Sequence, residues 1–129
     1  MTDYSKFSVL MVDDVPLNLL LVQKMLSQFN FRVRTAPNGA QALDLVKEEV
    51  PDLILLDILM PGIDGFEVLR ILRADPRTRA TRIVMLTALN TNDNVVRAFN
   101  MGANDYITKP IVMQKLIACV STQLELAGR

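Results

Sequence analysis

The chain has 129 residues, half of them hydrophobic, with 14 basic side chains against 14 acidic ones and no formal net charge. That length suits one domain with a core of its own and is too short for two comfortable ones. Neutrality removes the usual electrostatic argument for direct nucleic-acid binding, and the composition is neither disordered nor fibrous.

The opening Met1-Thr-Asp-Tyr-Ser-Lys lacks the basic-then-apolar order of a signal peptide. No apolar run approaches the length of a membrane span, so the expected location is cytoplasmic, away from membranes. Five short apolar runs follow, at Phe7–Val12, Phe31–Thr35, Leu53–Leu56, Arg82–Thr87 and Asn104–Ile107. Leu53-Ile54-Leu55-Leu56 and Ile83-Val84-Met85-Leu86 are continuously hydrophobic, as strands buried on both faces are. Helical patterns lie between and after them, near 16–29, 39–49, 65–73, 92–100 and 111–126. Pro16 fits a first helical turn with Asp14 as a cap upstream, and Gly39 opens the second helix through a turn. Gly102 stands where a left-handed glycine ends the fourth helix. Alternating strands and helices predict a single α/β domain over 1–129, a doubly wound five-stranded parallel sheet with five helices.

Arg70, Arg73, Arg77, Arg79 and Arg82 crowd one stretch, which reads as a solvated helix end and loop, with an anionic partner surface as the alternative. Cys119 is alone, so neither an internal disulfide nor a zinc spacing exists. In its apolar helical run it reads as a small buried hydrophobe, not a redox group.

Ligands of open α/β sheets bind beyond the carboxyl ends of the strands. There stand Asp13 and Asp14 after the first strand, Asp57 after the third, Thr87 ending the fourth, and Lys109 just past the fifth. Singly, most have plain explanations. The paired acids could cap the first helix, Thr87 could be a turn residue, and Lys109 could snorkel to solvent. Asp57 resists such a reading, because the next helix begins only after Pro61-Gly62, too late to be capped by it. Carboxylates gathered in one pocket repel, and a hard divalent cation such as Mg²⁺ is the natural remedy, with room left for phosphate oxygens. A carboxylate can attack phosphorus to give an acyl phosphate, and an ammonium and a hydroxyl can steady the transferring oxygens. Small Ala88 would leave the approach to Asp57 open.

Val12-Asp13-Asp14, Leu55-Leu-Asp57-Ile-Leu-Met-Pro61-Gly-Ile-Asp-Gly65, Leu86-Thr87-Ala88, Gly102-Ala-Asn-Asp-Tyr106 and Lys109-Pro110 together resemble the receiver domains of bacterial two-component systems. The likeness covers essentially the whole chain. It implies a flavodoxin-like fold with strand order 2-1-3-4-5. It also implies Asp57 as phosphoacceptor, with Mg²⁺ held by Asp13, Asp14, Asp57 and the Leu59 carbonyl, and Thr87 and Lys109 on the phosphoryl oxygens. Tyr106 matches the family's switch aromatic, turning inward as Thr87 moves, although a half-buried strand tyrosine needs no switching. The Lys109–Pro110 bond is expected to be cis, and the domain to be a signalling module that promotes its own phosphorylation and dephosphorylation, not an enzyme.

No histidine occurs in the chain and no Walker pattern, so the phosphoryl group must come from a histidine kinase, a histidine phosphotransfer protein or a small phosphodonor. The first helix (Leu17, Leu19, Leu20, Leu21, Val22, Met25, Leu26, Phe29) and the last (Ile111, Val112, Met113, Leu116, Ile117, Val120, Leu124) are apolar over more than one face. The surplus suggests partner contacts. In the resembled family the first helix docks the histidine donor, and the surface of the fourth helix, fifth strand and fifth helix carries homodimer or output contacts. Leu59 and Leu89 flank the route of attacking water and offer no polar group to orient it, which predicts a long-lived phosphoryl group. A haloacid-dehalogenase-type phosphohydrolase would want an Asp-x-Asp pattern after the first strand, and a flavodoxin-type binder a Ser/Thr/Gly-rich loop. The sequence has neither. A receiver that folds but is never phosphorylated is the remaining rival, against which the complete set of acids, Thr87 and Lys109 speaks.

Overall fold

The computed structural model describes residues 4–127, so Met1–Asp3 and Gly128–Arg129, the ends of the expected 1–129 domain, lie outside the described residues. After a short 3-10 turn, strands and helices alternate: β1 (Ser8–Val12), α1 (Pro16–Ser27), β2 (Arg32–Ala36), α2 (Gly39–Glu48), β3 (Leu53–Leu56), α3 (Gly65–Ala74), β4 (Arg82–Thr87), α4 (Asn92–Asn100), β5 (Asp105–Thr108) and α5 (Met113–Ala127). The strands form one parallel sheet in the order β2-β1-β3-β4-β5, as expected.

Continuous apolar strands feed two cores at once. Leu10, Val12, Ile54, Leu56, Ile83 and Met85 point to one face, where Ala42 and Val46 of α2, Phe66, Leu69 and Leu72 of α3, and Ala98 of α4 cover them. Their neighbours Val9, Met11, Leu53, Leu55, Val84 and Leu86 point to the other, under Val22 and Leu26 of α1 and Leu116, Val120 and Leu124 of α5. Every residue of β1 and β3 is buried, so strict alternation of polar and apolar side chains has no place there.

Caps fix most helix starts. The side chains of Asn38, Asp64 and Thr91 accept from the backbone N–H of Gln41, Glu67 and Asn94, opening α2, α3 and α4. The expected cap of α1 is corrected. Its N-cap is Val15, without a side-chain bond, and Asp13, not Asp14, accepts the Val15 N–H at 2.9 Å. Pro16 brings no N–H to satisfy, which leaves the Asp14 carboxylate without a capping task. Gly102 has the expected positive φ, at 103°.

Three further expectations are adjusted. Ile111 and Val112 precede α5, whose inward side holds Leu116, Val120 and Leu124, so of the exposed apolar residues Val112 lies in the loop and Met113 only begins the helix. The arginine stretch is not uniformly solvated. Arg73 reaches inward and donates to the carbonyls of Gly102, Arg79 and Thr81 and to Asn104 Oδ1, at 2.7–3.1 Å, while Arg82 holds Gln123 Oε1. Arg77 and Arg79 stay exposed, as a charge run usually does. Cys119 is half-buried and polar in its contact, not the buried hydrophobe expected: its thiol donates to Asp105 Oδ2 at 3.2 Å, and burial, followed by that carboxylate, pushes its pKa up to about 12. No helix among the described residues is long and apolar enough to cross a membrane.

Candidate phosphoacceptor and metal site

From β1 the chain moves outward to β2 and then crosses back to β3, so the topological switch point falls between β1 and β3. Asp13 leaves β1 and Asp57 leaves β3 at that crevice. Their backbones are tied to the sheet through Asp13 N–H to the Ala36 carbonyl and Asp57 N–H to the Val12 carbonyl. Both carboxylates are buried. Together with Asp14, which stands at the solvent edge, they present oxygens all within 4.8 Å of one another.

Lys109 answers part of this charge. Its Nζ lies 2.7 Å from Asp13 Oδ2 and 2.9 Å from Asp57 Oδ2, and only 17% of its side chain is exposed. The lysine therefore does not snorkel outward. β5 pairs with β4 through Thr87 and Thr108, and Lys109 N–H donates to the Thr87 carbonyl, which brings the lysine stem beside the acids. The Lys109–Pro110 bond is cis, as expected. Burial works against the ammonium, but hydrogen bonds and charge from Asp13 and Asp57 outweigh it and hold the Lys109 pKa above the usual lysine value.

Asp13 and Asp57 have further donors. Asp57 Oδ1 accepts from Leu59 N–H at 3.2 Å, and Asp13 Oδ2 also accepts from Asn18 Nδ2 at 3.2 Å. Sequence reasoning missed Asn18, although its place in the first turn of α1, one turn beyond Asp13, was a usable signal. Thr87 is fully buried at the end of β4, its hydroxyl accepting weakly from Leu89 N–H at 3.4 Å. Tyr106 is half-buried and donates its hydroxyl proton to the Leu89 carbonyl at 2.8 Å. Burial first, then the Asp57 charge, raises its phenol pKa, so it remains a donor. Leu59 and Leu89 line the same open groove, together with Ile58, Phe66 and Arg97.

Three carboxylates against one ammonium leave the pocket short of positive charge, and hard oxygen ligands suit a divalent cation of the Mg²⁺ kind. Asp13, Asp14, Asp57 and Lys109 thus meet at one end of the sheet, where Thr87 also ends β4, with the Leu59 backbone joined to Asp57.

Comparison with known proteins agrees with this geometry. The response regulator receiver domain model matches residues 9–121, and the chain belongs to that family. It is 42% identical over 103 residues to the response regulator PleD of Caulobacter vibrioides, covering 80% of this chain and 23% of that protein, so it spans about a quarter of that relative's length. The crystal structure of a CheY-like receiver domain protein from Methanospirillum hungatei superposes with a TM-score of 0.89 at 25% identity, covering 95% of this chain and 96% of that one. The Mn²⁺-bound form of response regulator Rcp1 gives 0.78 at 26% identity, covering 90% of each chain. Receiver domains are the phosphoaccepting signalling modules of two-component systems, and a divalent cation at an acidic cluster belongs to the family.

Proposed function

We propose that Asp57 is the residue that takes the phosphoryl group. The observation that carries this reading is the sharing of Lys109 between Asp57 and Asp13 at the switch point, with Asp14 completing the acidic cluster. Asp57 Oδ2 attacks phosphorus of a phosphohistidine, an O–P bond forms as the N–P bond breaks, and the freed imidazole leaves with the donor. Asp13, Asp14, Asp57 and the Leu59 carbonyl would hold Mg²⁺. Bound there, the ion supplies charge neutralisation for the transferring oxygens. Lys109 turns from the carboxylates to one phosphoryl oxygen, and the Thr87 hydroxyl donates to another. Movement of Thr87 toward the phosphoryl group draws Leu89 with it and frees Tyr106 to turn inward, which alters the surface of α4, β5 and α5.

The donor is a histidine kinase or a histidine phosphotransfer protein, docking on α1, where Leu17 and Leu20 are exposed. Val96 and Phe99 of α4 are exposed as well and suit a homodimer or output contact. The module promotes its own phosphorylation and dephosphorylation and works in the cytoplasm as one receiver domain over 1–129, without direct nucleic-acid contact.

Incubation with acetyl phosphate, with and without Mg²⁺, followed by intact mass measurement, tests the reading. One Mg²⁺-dependent phosphoryl adduct is expected, absent from Asp57→Asn. A folded protein that gains no adduct and ignores Mg²⁺ would show a receiver that signals without phosphorylation.

A further inference from the structure

The structure assigns Gly65 a positioning role: it lets the start of α3 abut the backbone of Asp57, and so sets where the Leu59 carbonyl and the Asp57 carboxylate stand. This inference rests on Asp57 being the acceptor. Gly65 itself touches neither metal nor phosphoryl group.

The loop from Ile58 to Asp64 leaves β3 at Asp57 and is closed where Gly65 N–H donates to the Ile58 carbonyl at 3.0 Å. A Cβ on Gly65 would overlap the Asp57 carbonyl oxygen and lie 2.7 Å from Ile58 Cα and 2.9 Å from the Asp57 carbonyl carbon. All three are backbone atoms, so no side chain can swing aside. Backbone conformation does not call for glycine here, since among the described residues the positive-φ glycines are Gly62 and Gly102. Alanine is otherwise the better helix former of the two. What excludes it at Gly65 is the nearness of the Asp57–Ile58 backbone.

A second glycine supports the same arrangement from the other side of the loop. At Gly39, the first residue of α2, a Cβ would lie 2.7 Å from Ile63 Cγ1 and 2.7 Å from Val68 Cγ2. Ile63 belongs to the loop and Val68 to α3, so the notch at Gly39 seats both against α2. The loop is thereby held at its closing end, at Gly65 and again at the neighbouring Ile63. Within it, Leu59 N–H fixes Asp57 Oδ1 at 3.2 Å. Displacing α3 from Asp57 shifts the loop that carries Leu59, and with it the ligand positions.

The test compares Gly65→Ala, Gly39→Ala and Val46→Ala, the last a buried core change in α2 away from the loop. Three readouts are taken: the Mg²⁺ dissociation constant of the unphosphorylated protein by titration calorimetry, the amide resonance of Leu59 without metal, and the thermal midpoint. Groups that orient metal ligands are worth 10–100-fold in affinity, so Gly65→Ala is expected to weaken Mg²⁺ roughly tenfold or more and to move the Leu59 resonance. Gly39→Ala, which meets only side chains, moves both in the same direction but less. Val46→Ala lowers the midpoint and leaves both unchanged. A folded Gly65→Ala with wild-type Mg²⁺ affinity and an unmoved Leu59 resonance overturns the inference. So does a Val46→Ala that weakens Mg²⁺ as much as the glycine variants. Should Gly65→Ala not fold, Gly39→Ala decides by the same criteria. Failure of the wild type to bind Mg²⁺ or gain an adduct is a different result, which removes the Asp57 reading itself.

Discussion

Lys109 Nζ lies 2.7 Å from Asp13 Oδ2, joining residues 96 positions apart in the chain. The same nitrogen serves Asp57, so one ammonium compensates two buried carboxylates. Lys109→Met leaves both without a cation. Removal of one partner from a buried ion pair costs roughly 3–5 kcal/mol. On the proposed reading Mg²⁺ would bind the native pocket and not the unfolded chain, so saturating Mg²⁺ should return part of that loss. Urea unfolding of Lys109→Met and wild type, with and without Mg²⁺, measures it. A loss of the same size in both conditions would mean that the lysine and the metal answer different charges.

The same contact predicts an alkaline limit. An unfolded lysine titrates near pH 10.4, and in the folded protein Asp13 and Asp57 hold Lys109 above its usual value in spite of burial. A raised folded pKa means stability present in full below the unfolded value and lost as pH climbs through the folded one. Without metal, the unfolding free energy of the wild type should fall above about pH 10.4 more steeply than that of Lys109→Met. Parallel pH curves for the two proteins would remove Lys109 as the source.

Arg73 anchors the end of the molecule far from the acids. Its guanidinium donates to the carbonyls of Gly102, Arg79 and Thr81 and to Asn104 Oδ1, while Asn104 Oδ1 also accepts from Ile83 N–H at 2.7 Å. The α3–β4 connection is thus clamped to the turn before β5. Arg73→Met strips donors from partly buried carbonyls at roughly 1–3 kcal/mol for each group left unsatisfied. Arg73→Lys should recover little, because an ammonium cannot reproduce the planar fork. Chemical denaturation is expected to show both variants destabilised by about 2 kcal/mol or more, with Mg²⁺ affinity unchanged.

The sequence discloses what depends on strand order and local pattern. Leu53–Leu56 and Ile83–Leu86 announce strands buried on both faces, and the residues following each strand are then gathered by the sheet itself. Side-chain pairings across the crevice are not written locally. Lys109 as a bridge between Asp13 and Asp57 depends on three strands meeting, and apart from the Lys109-Pro110 motif its local sequence is that of a surface lysine. Arg73 looks like its neighbours Arg70 and Arg77, yet only its position on α3 aims it at the Gly102 turn. Asp13 and Asp14 are chemically alike, and which of them is tied to the start of α1 follows from backbone direction after β1.

Leu59 and Leu89 face one groove, two residues beyond Asp57 and Thr87 in the chain, and neither carries a group that can hold a water for attack on phosphorus. Hydrolysis of an acyl phosphate needs that water in line with the O–P bond, and a polar side chain can place it or take its proton. Leu59 is 52% exposed, so water reaches the groove, and neither leucine can orient it. Replacing the pair by Leu59→Asn and Leu89→Glu supplies an amide and a carboxylate at the rim without touching Asp57, Thr87 or Lys109. Loss of the phosphoryl group from the double variant should then be roughly tenfold to a hundredfold faster than from wild type, with phosphorylation by acetyl phosphate little changed. Intact mass followed over time after removal of the donor gives both rates. Equal lifetimes would place the rate of hydrolysis with Lys109 and Thr87, whose grip on the phosphoryl oxygens would then outweigh any placement of water.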